Sequence, residues 1–171
     1  MASDERTLSE SGRAGIVHAA LLGLTAAWIG MIFLAPWSMA AGKPFAAALL
    51  YGGFSKICHQ LPDRTFDAFG FPLGVCSRCA GIYLGFAAGL LLLPLVRSPR
   101  SETLPDRRFL LLAALPLTID FAGGLSGLFV NSFLSRSLTG GLFGIAAAFY
   151  ILPGLVAVFA KRTRPGRVAL P

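Results

Sequence analysis

The 171-residue sequence predicts an all-α integral membrane protein, a four-helix transmembrane bundle with a short interfacial or re-entrant helix. Three observations predict it. Hydrophobic residues make up 55% of the chain and charged residues 13%, about half the charged share of a soluble domain. The charges are bunched, which leaves apolar runs of about 20 residues, the length that crosses a hydrocarbon core as a helix. The positive charge is also gathered: Arg6 and Arg13, then Arg97, Arg100, Arg107 and Arg108, then Lys161, Arg162, Arg164 and Arg167 hold ten of the 15 basic residues. Four crossings put these three segments on one side, and the positive-inside rule makes that side the cytoplasm. A soluble enzyme, a disordered tail and a nucleic-acid module are excluded. No basic face with interleaved aromatics is present, so the net charge of +7 reports topology, and the lipid bilayer is the expected partner.

Residues 1–15 read as a polar, loose cytoplasmic tail, and residues 16–160 as a single transmembrane domain. The first span covers about Ile16–Trp37. Ser38-Met39-Ala40 resembles a small-x-small cleavage site, but the apolar core exceeds the roughly 7–15 residues of a signal peptide, which favours a retained span. Residues 44–57 are apolar but too short to cross, and are read as an interfacial or re-entrant helix broken near Gly52-Gly53. Pro62, Gly70, Pro72 and Gly74 make residues 60–75 an irregular loop. The remaining spans are expected at about 77–96, 109–130 and 137–160, with a basic cytoplasmic tail over 161–171. Small residues recur at Gly81, Gly85 and Gly89, at Gly123 and Gly127, and at Gly140, Gly144 and Ala148. This spacing lets helices approach closely in lipid, and predicts a compact bundle or a homo-oligomer.

All three cysteines fall in one stretch, Cys58-His59 and then Cys76-Ser77-Arg78-Cys79. A C-x2-C pair can chelate one ion, and Cys58 or His59 can complete the shell from the far end of the loop. Three sulfurs and an imidazole suit zinc or another soft transition metal such as Cu(I). A redox dithiol is the second reading. Cys79 lies near a helix amino end beside Arg78, and both lower a thiol pKa, as a thiol–quinone relay with Cys58 as exchange partner requires. A structural disulfide with one cysteine left over is the third.

Asp120 is placed at the middle of the third span, about 16 Å from either end. An acid there must face the bundle interior and find a partner, and it is either a proton or cation site or a protonated, hydrogen-bonded side chain. Pro116 and Gly123-Gly124 predict a break or kink nearby. Asn131 and Arg136 flank the outer turn before the fourth span. Arg136 is expected to pair with Asp63 or Asp67 or to reach lipid headgroups, and Arg64 has the same two readings. Tyr83 lies one turn beyond Cys79 on the same face. His18 is read as interfacial.

The string Cys58-His59-Gln60, Pro62, Arg64, Phe66, Gly70, then Cys76, Arg78, Cys79, Gly81-Ile82-Tyr83 and Gly85, continued by Pro116, Asp120, Asn131, Arg136, Thr139 and Gly140, resembles a family of small predicted membrane proteins, domain of unknown function 2085. The resemblance covers about Cys58 to Gly144, half of the chain. It implies membrane residence and carries no activity across.

Overall fold

The computed structural model describes residues 2–96 and 104–162. The basic residues Arg97, Arg100, Arg164 and Arg167, and the tail beyond Arg162, lie outside the described residues. Five α-helices follow in order: α1 (Ala2–Ala40), α2 (Pro44–Phe54), α3 (Ser77–Val96), α4 (Arg107–Leu125) and α5 (Phe133–Arg162). Four of them are long and apolar enough to cross a membrane, over Ala14–Ala40, Ser77–Val96, Arg107–Leu125 and Phe133–Phe159. The protein is therefore an all-α, multi-pass membrane protein.

The amino tail differs from expectation, because helix begins at Ala2. No glycine or proline interrupts it before Gly12, and Asp4 and Glu5 suit the positive end of a helix. At the other end α1 stops on Gly42, whose φ of +67° only glycine adopts without cost. The Lys43 N–H closes back on the Ser38 carbonyl at 2.8 Å, which completes a Schellman cap.

Pro44 then opens α2 at a position where its missing N–H costs nothing. Its 11 residues span about 16 Å, half of a bilayer core. Helix continues through Gly52-Gly53 to Phe54, where a break was expected. The loop that follows is also more ordered than its Pro/Gly content suggests. A 3-10 turn at Pro62–Arg64 leads to a two-stranded hairpin, β1 (Asp67–Ala68) with β2 (Phe71–Pro72), in which Ala68 pairs with Phe71. Phe69 and Gly70 both have positive φ, 55° and 79°, as a two-residue type I′ turn requires.

The centre of the bundle is α3 against α5, and the two run parallel. An added Cβ at Gly81 would meet the Ser137 backbone, and one at Gly85 the Gly141 backbone. At Gly89 it would come within 2.7 Å of the Ala148 side chain. From the other side, Gly140 and Gly144 lie on the carbonyls of Arg78 and Ile82. The register is thus constant over three turns, and backbone touches backbone where lipid offers no hydrophobic drive. The glycines of α4 serve otherwise. Gly123 makes room for the Phe129 ring, and Gly127 (φ +72°) is the C′ residue of a second Schellman cap, closed by Leu128 N–H on the Gly123 carbonyl at 3.0 Å.

α1 and α4 run antiparallel to the central pair. Ala14 packs with Leu93 and Val156 at one end; Ile32 packs with Ala80 and Val75 at the other. Tyr150 of α5 donates to the Asp106 carbonyl at 2.6 Å, and its hydroxyl accepts from the Leu110 N–H. The first residue of the α1 span, the start of α4 and the far end of α5 therefore share one end of the bundle, and the cysteine loop lies at the other.

Prolines inside the spans supply cross-links. Pro36 and Pro94 cannot donate to the carbonyls four residues back. The Ile32 carbonyl, freed by Pro36, accepts from Gly74 N–H at 3.3 Å. The Leu90 carbonyl, freed by Pro94, pairs with His18 Nε2 at 2.9 Å. His18, near the start of its span, is thereby tied to α3.

Candidate functional site

The site is built from the loop inward. Cys58 follows α2, and its amide donates to the Phe54 carbonyl at 3.0 Å, so the end of α2 fixes its direction. Gln60, with positive φ, turns its side-chain amide back into the fold. Its Nε2 donates to the Tyr51 carbonyl at 3.0 Å and to the Gly74 carbonyl at 2.7 Å. One side chain thus ties the end of α2 to the segment that enters α3. Tyr51 adds a second tie, its hydroxyl donating to the Pro72 carbonyl. Burial, with Asp67 nearby, raises the Tyr51 pKa above the ordinary phenol value, which keeps it a donor.

These ties press Cys58 onto the start of α3. The Cys76 amide donates to Cys58 Sγ at 3.2 Å, while the Cys76 carbonyl accepts the Ala80 N–H and so begins the helix. Cys79 follows in the first turn. The three Sγ atoms lie within 4.8 Å of one another, in a pocket with Ile32, Phe54, Leu73, Val75 and Ala80, closed by Trp28 and Tyr83. Trp28 meets Phe54 and Tyr83 edge-on, with centroids 5.3 and 5.9 Å away. Hydrogen bonds from the Cys58 and then the Cys79 side chains hold the Cys76 thiol far below the ordinary cysteine value. His59 stands outside this group and is exposed, because neighbouring side chains on an extended segment point apart.

The opposite side of α3 carries a second polar set. Arg78 Nη2 is ion-paired with the Asp120 carboxylate, and the Arg78 guanidinium lies over the Phe121 ring, 5.3 Å from its centroid. Asp120 is 5% exposed, buried together with Gly123 on a helix whose Phe109, Leu111, Leu112 and Leu115 face outward. The Asn131 amide donates to the Asp120 carbonyl, and the Asn131 and Ser135 side chains also reach the carboxylate. Gly124 permits this, since the Asn131 side chain occupies the place of its Cβ.

Two sequence expectations change here. α4 ends at Leu125, so Asp120 lies about 8 Å from the helix end rather than at mid-membrane. The doublet Gly123-Gly124 with Gly127 signalled that earlier end. Helix also continues through Pro116 to Leu125, which excludes the break from the expected break or kink. Arg64 pairs with its neighbour Asp63 at 3.4 Å, exposed at the surface. Among the described residues Arg136 has no ion pair with Asp63 or Asp67; its Nε is buried with no hydrogen-bond partner. The residues missed from sequence are Gln60 as the tie of the loop, Tyr51, and Ser77, which is fully buried.

Comparison with known proteins places residues 58–150 in match with the family described as "Predicted membrane protein (DUF2085)". An uncharacterised protein of Methanocaldococcus jannaschii is 36% identical over 136 residues, covering 77% of this chain and 87% of that protein. Another, from Methanothermobacter thermautotrophicus, is 38% identical over 95 residues, covering 56% of this chain and 84% of its own. No solved structure matches.

Proposed function

The chain belongs to the DUF2085 family of predicted membrane proteins, and we propose that it binds one soft transition-metal ion, zinc or Cu(I), through Cys58, Cys76 and Cys79. The observation that carries this reading is the mutual approach of three sulfurs within 4.8 Å. Thiolates bound to zinc at 2.3 Å in a tetrahedron stand about 3.8 Å apart, so contraction by about an ångström closes the shell. Metal binding needs deprotonated thiols. The depressed Cys76 pKa, the Cys76 N–H aimed at Cys58 Sγ and the positive end of α3 favour that form at Cys76 and Cys58. With His59 turned away, three protein ligands leave a fourth position open, the arrangement of a reactive or transfer site rather than a closed structural one.

The end that carries Arg107 and Arg108 is taken as cytoplasmic in this reading. That puts both chain ends in the cytoplasm of a cell membrane and the cysteine site at the outer surface.

Elemental analysis on tag-free protein in detergent tests the metal reading. Wild type is expected to hold close to one transition metal per chain, and the Cys76→Ser, Cys79→Ser double variant none. Metal retained by the double variant overturns the proposal.

One observation favours a second reading, a quinone-linked thiol oxidoreductase. An apolar groove of about 410 Å³ borders the sulfur pocket, lined by Ile32, Leu73, Ala80 and Tyr83 among others. In that reading the Cys76 thiolate and the Cys79 thiol give up two electrons and one proton as their disulfide forms, and a quinone in the groove takes these with a second proton from water and leaves as quinol. Metal-free protein with two thiols oxidised, reopened by reductant and closed again by quinone, is its expected signature. Serine variants that lower only thermal stability would leave a scaffold whose cysteines staple a loop.

A further inference from the structure

A different face of the same helix start carries an independent inference. α3 and α5 are parallel and begin at the same end of the bundle, so two positive dipole ends lie side by side. At that place three buried polar atoms have no hydrogen-bond partner: Ser77 Oγ, Arg78 Nε and Arg136 Nε. Ser77 is the first residue of α3 and is 0% exposed. Such atoms are costly to bury unsatisfied, and three in one neighbourhood point to something that satisfies them together.

The backbone sets Arg136 among them. Gly140 packs on the Arg78 carbonyl, and Arg136 stands one turn before Gly140 on the same face. Helical side chains lean toward the amino end, so Arg136 extends over the first turn of α3. Ser137, next to it, donates to the Ser77 carbonyl at 3.3 Å. Charge supports the same conclusion. Arg78 is already paired with Asp120, whereas Arg136 has no ion pair among the described residues, which leaves one positive charge for a ligand to balance.

We propose that the amino ends of α3 and α5 form a binding site for a phosphate-type oxyanion, with the Arg78 and Arg136 guanidiniums and the Ser77 hydroxyl as its donors. Guanidinium forks and helix amino ends both match tetrahedral oxyanions. The phosphate belongs either to a lipid headgroup or to a free ion, and the same donors serve both. The cysteines lie on another side of this helical turn, so the inference does not depend on the metal reading.

Native mass spectrometry of the full chain, delipidated in detergent, separates the cases. Inorganic phosphate is titrated in one arm and phosphatidylglycerol in the other, for wild type, Arg136→Gln, Arg136→Lys and Ser77→Ala. Wild type is expected to take up one equivalent. Arg136→Gln should weaken binding about tenfold, the loss of a charge-assisted hydrogen bond, with Arg136→Lys in between and metal content unchanged. Binding in the lipid arm alone assigns a headgroup, and binding in the phosphate arm alone a free ion. If Arg136→Gln fails to fold, Ser77→Ala reads the same site. No binding of either probe by wild type, or equal binding by wild type and every folded variant, overturns the proposal.

Discussion

A thiol at Cys76 meets two others and a helix start, and its behaviour follows from those contacts. Its pKa is held down first by the Cys58 hydrogen bond and then by Cys79. A depressed acid pKa stabilises the fold above the ordinary thiol range and loses that contribution only as pH falls through the lowered value. Between pH 8 and pH 6 Cys76 therefore stays a thiolate in metal-stripped protein. Its alkylation by iodoacetamide is expected to change little over that interval, whereas an ordinary thiol slows about a hundredfold. Mass mapping of the labelled cysteine checks this. Asp120 gives a second residue-scale prediction. Removing one partner of a buried ion pair costs about 3–5 kcal/mol, so Asp120→Ala should lower the unfolding midpoint in detergent by many degrees. Replacing Arg78 and Asp120 together with apolar residues should recover part of the loss. These two residues also mark the limit of what the sequence reveals. An acid in a span announces that it needs a partner, but nothing along the chain says that the partner is 42 positions away. Cys58 and His59 were equally plausible ligands for the same reason: only the fold of residues 58–76 decides which of two neighbours turns inward.

The α3–α5 seam is where single elements can be tested. At Gly85 any side chain must displace the Gly141 backbone, whereas Gly23 on α1 has open space around it. Gly85→Ala is expected to cost about 1–3 kcal/mol through overpacking, and Gly85→Leu to separate the helices, with Gly23→Ala near neutral. Thermal unfolding of the three variants measures the contrast. The second span was legible to the residue because its ends are polar and its interior is not. The third was carried five residues past its observed end at Leu125, since Leu128-Phe129-Val130 is as apolar as the helix it follows; the Gly127 cap outweighs that composition.

The whole molecule has an orientation that one experiment reads. Reporter fusions at Asp67 and Asp106 are expected outside and inside respectively, because the 11 residues of α2 are too short to cross and Arg107 and Arg108 begin α4 at the end away from the cysteine loop. A swapped result reverses the site's compartment.

The order of the helices has a consequence for how the chain is made. During synthesis α3 emerges with its glycine edge bare and Arg78 unmatched. Asp120 arrives one span later, and the parallel partner that fills the edge comes later still. Until Asp120 arrives, Arg78, in the first turn of the span, has no acid to pair with and reaches toward the lipid headgroups instead. The glycine edge of α3 therefore stays open until residues 133–162 have been made. A stall between α4 and α5 would leave the anchor of the cysteine loop inserted but unpaired.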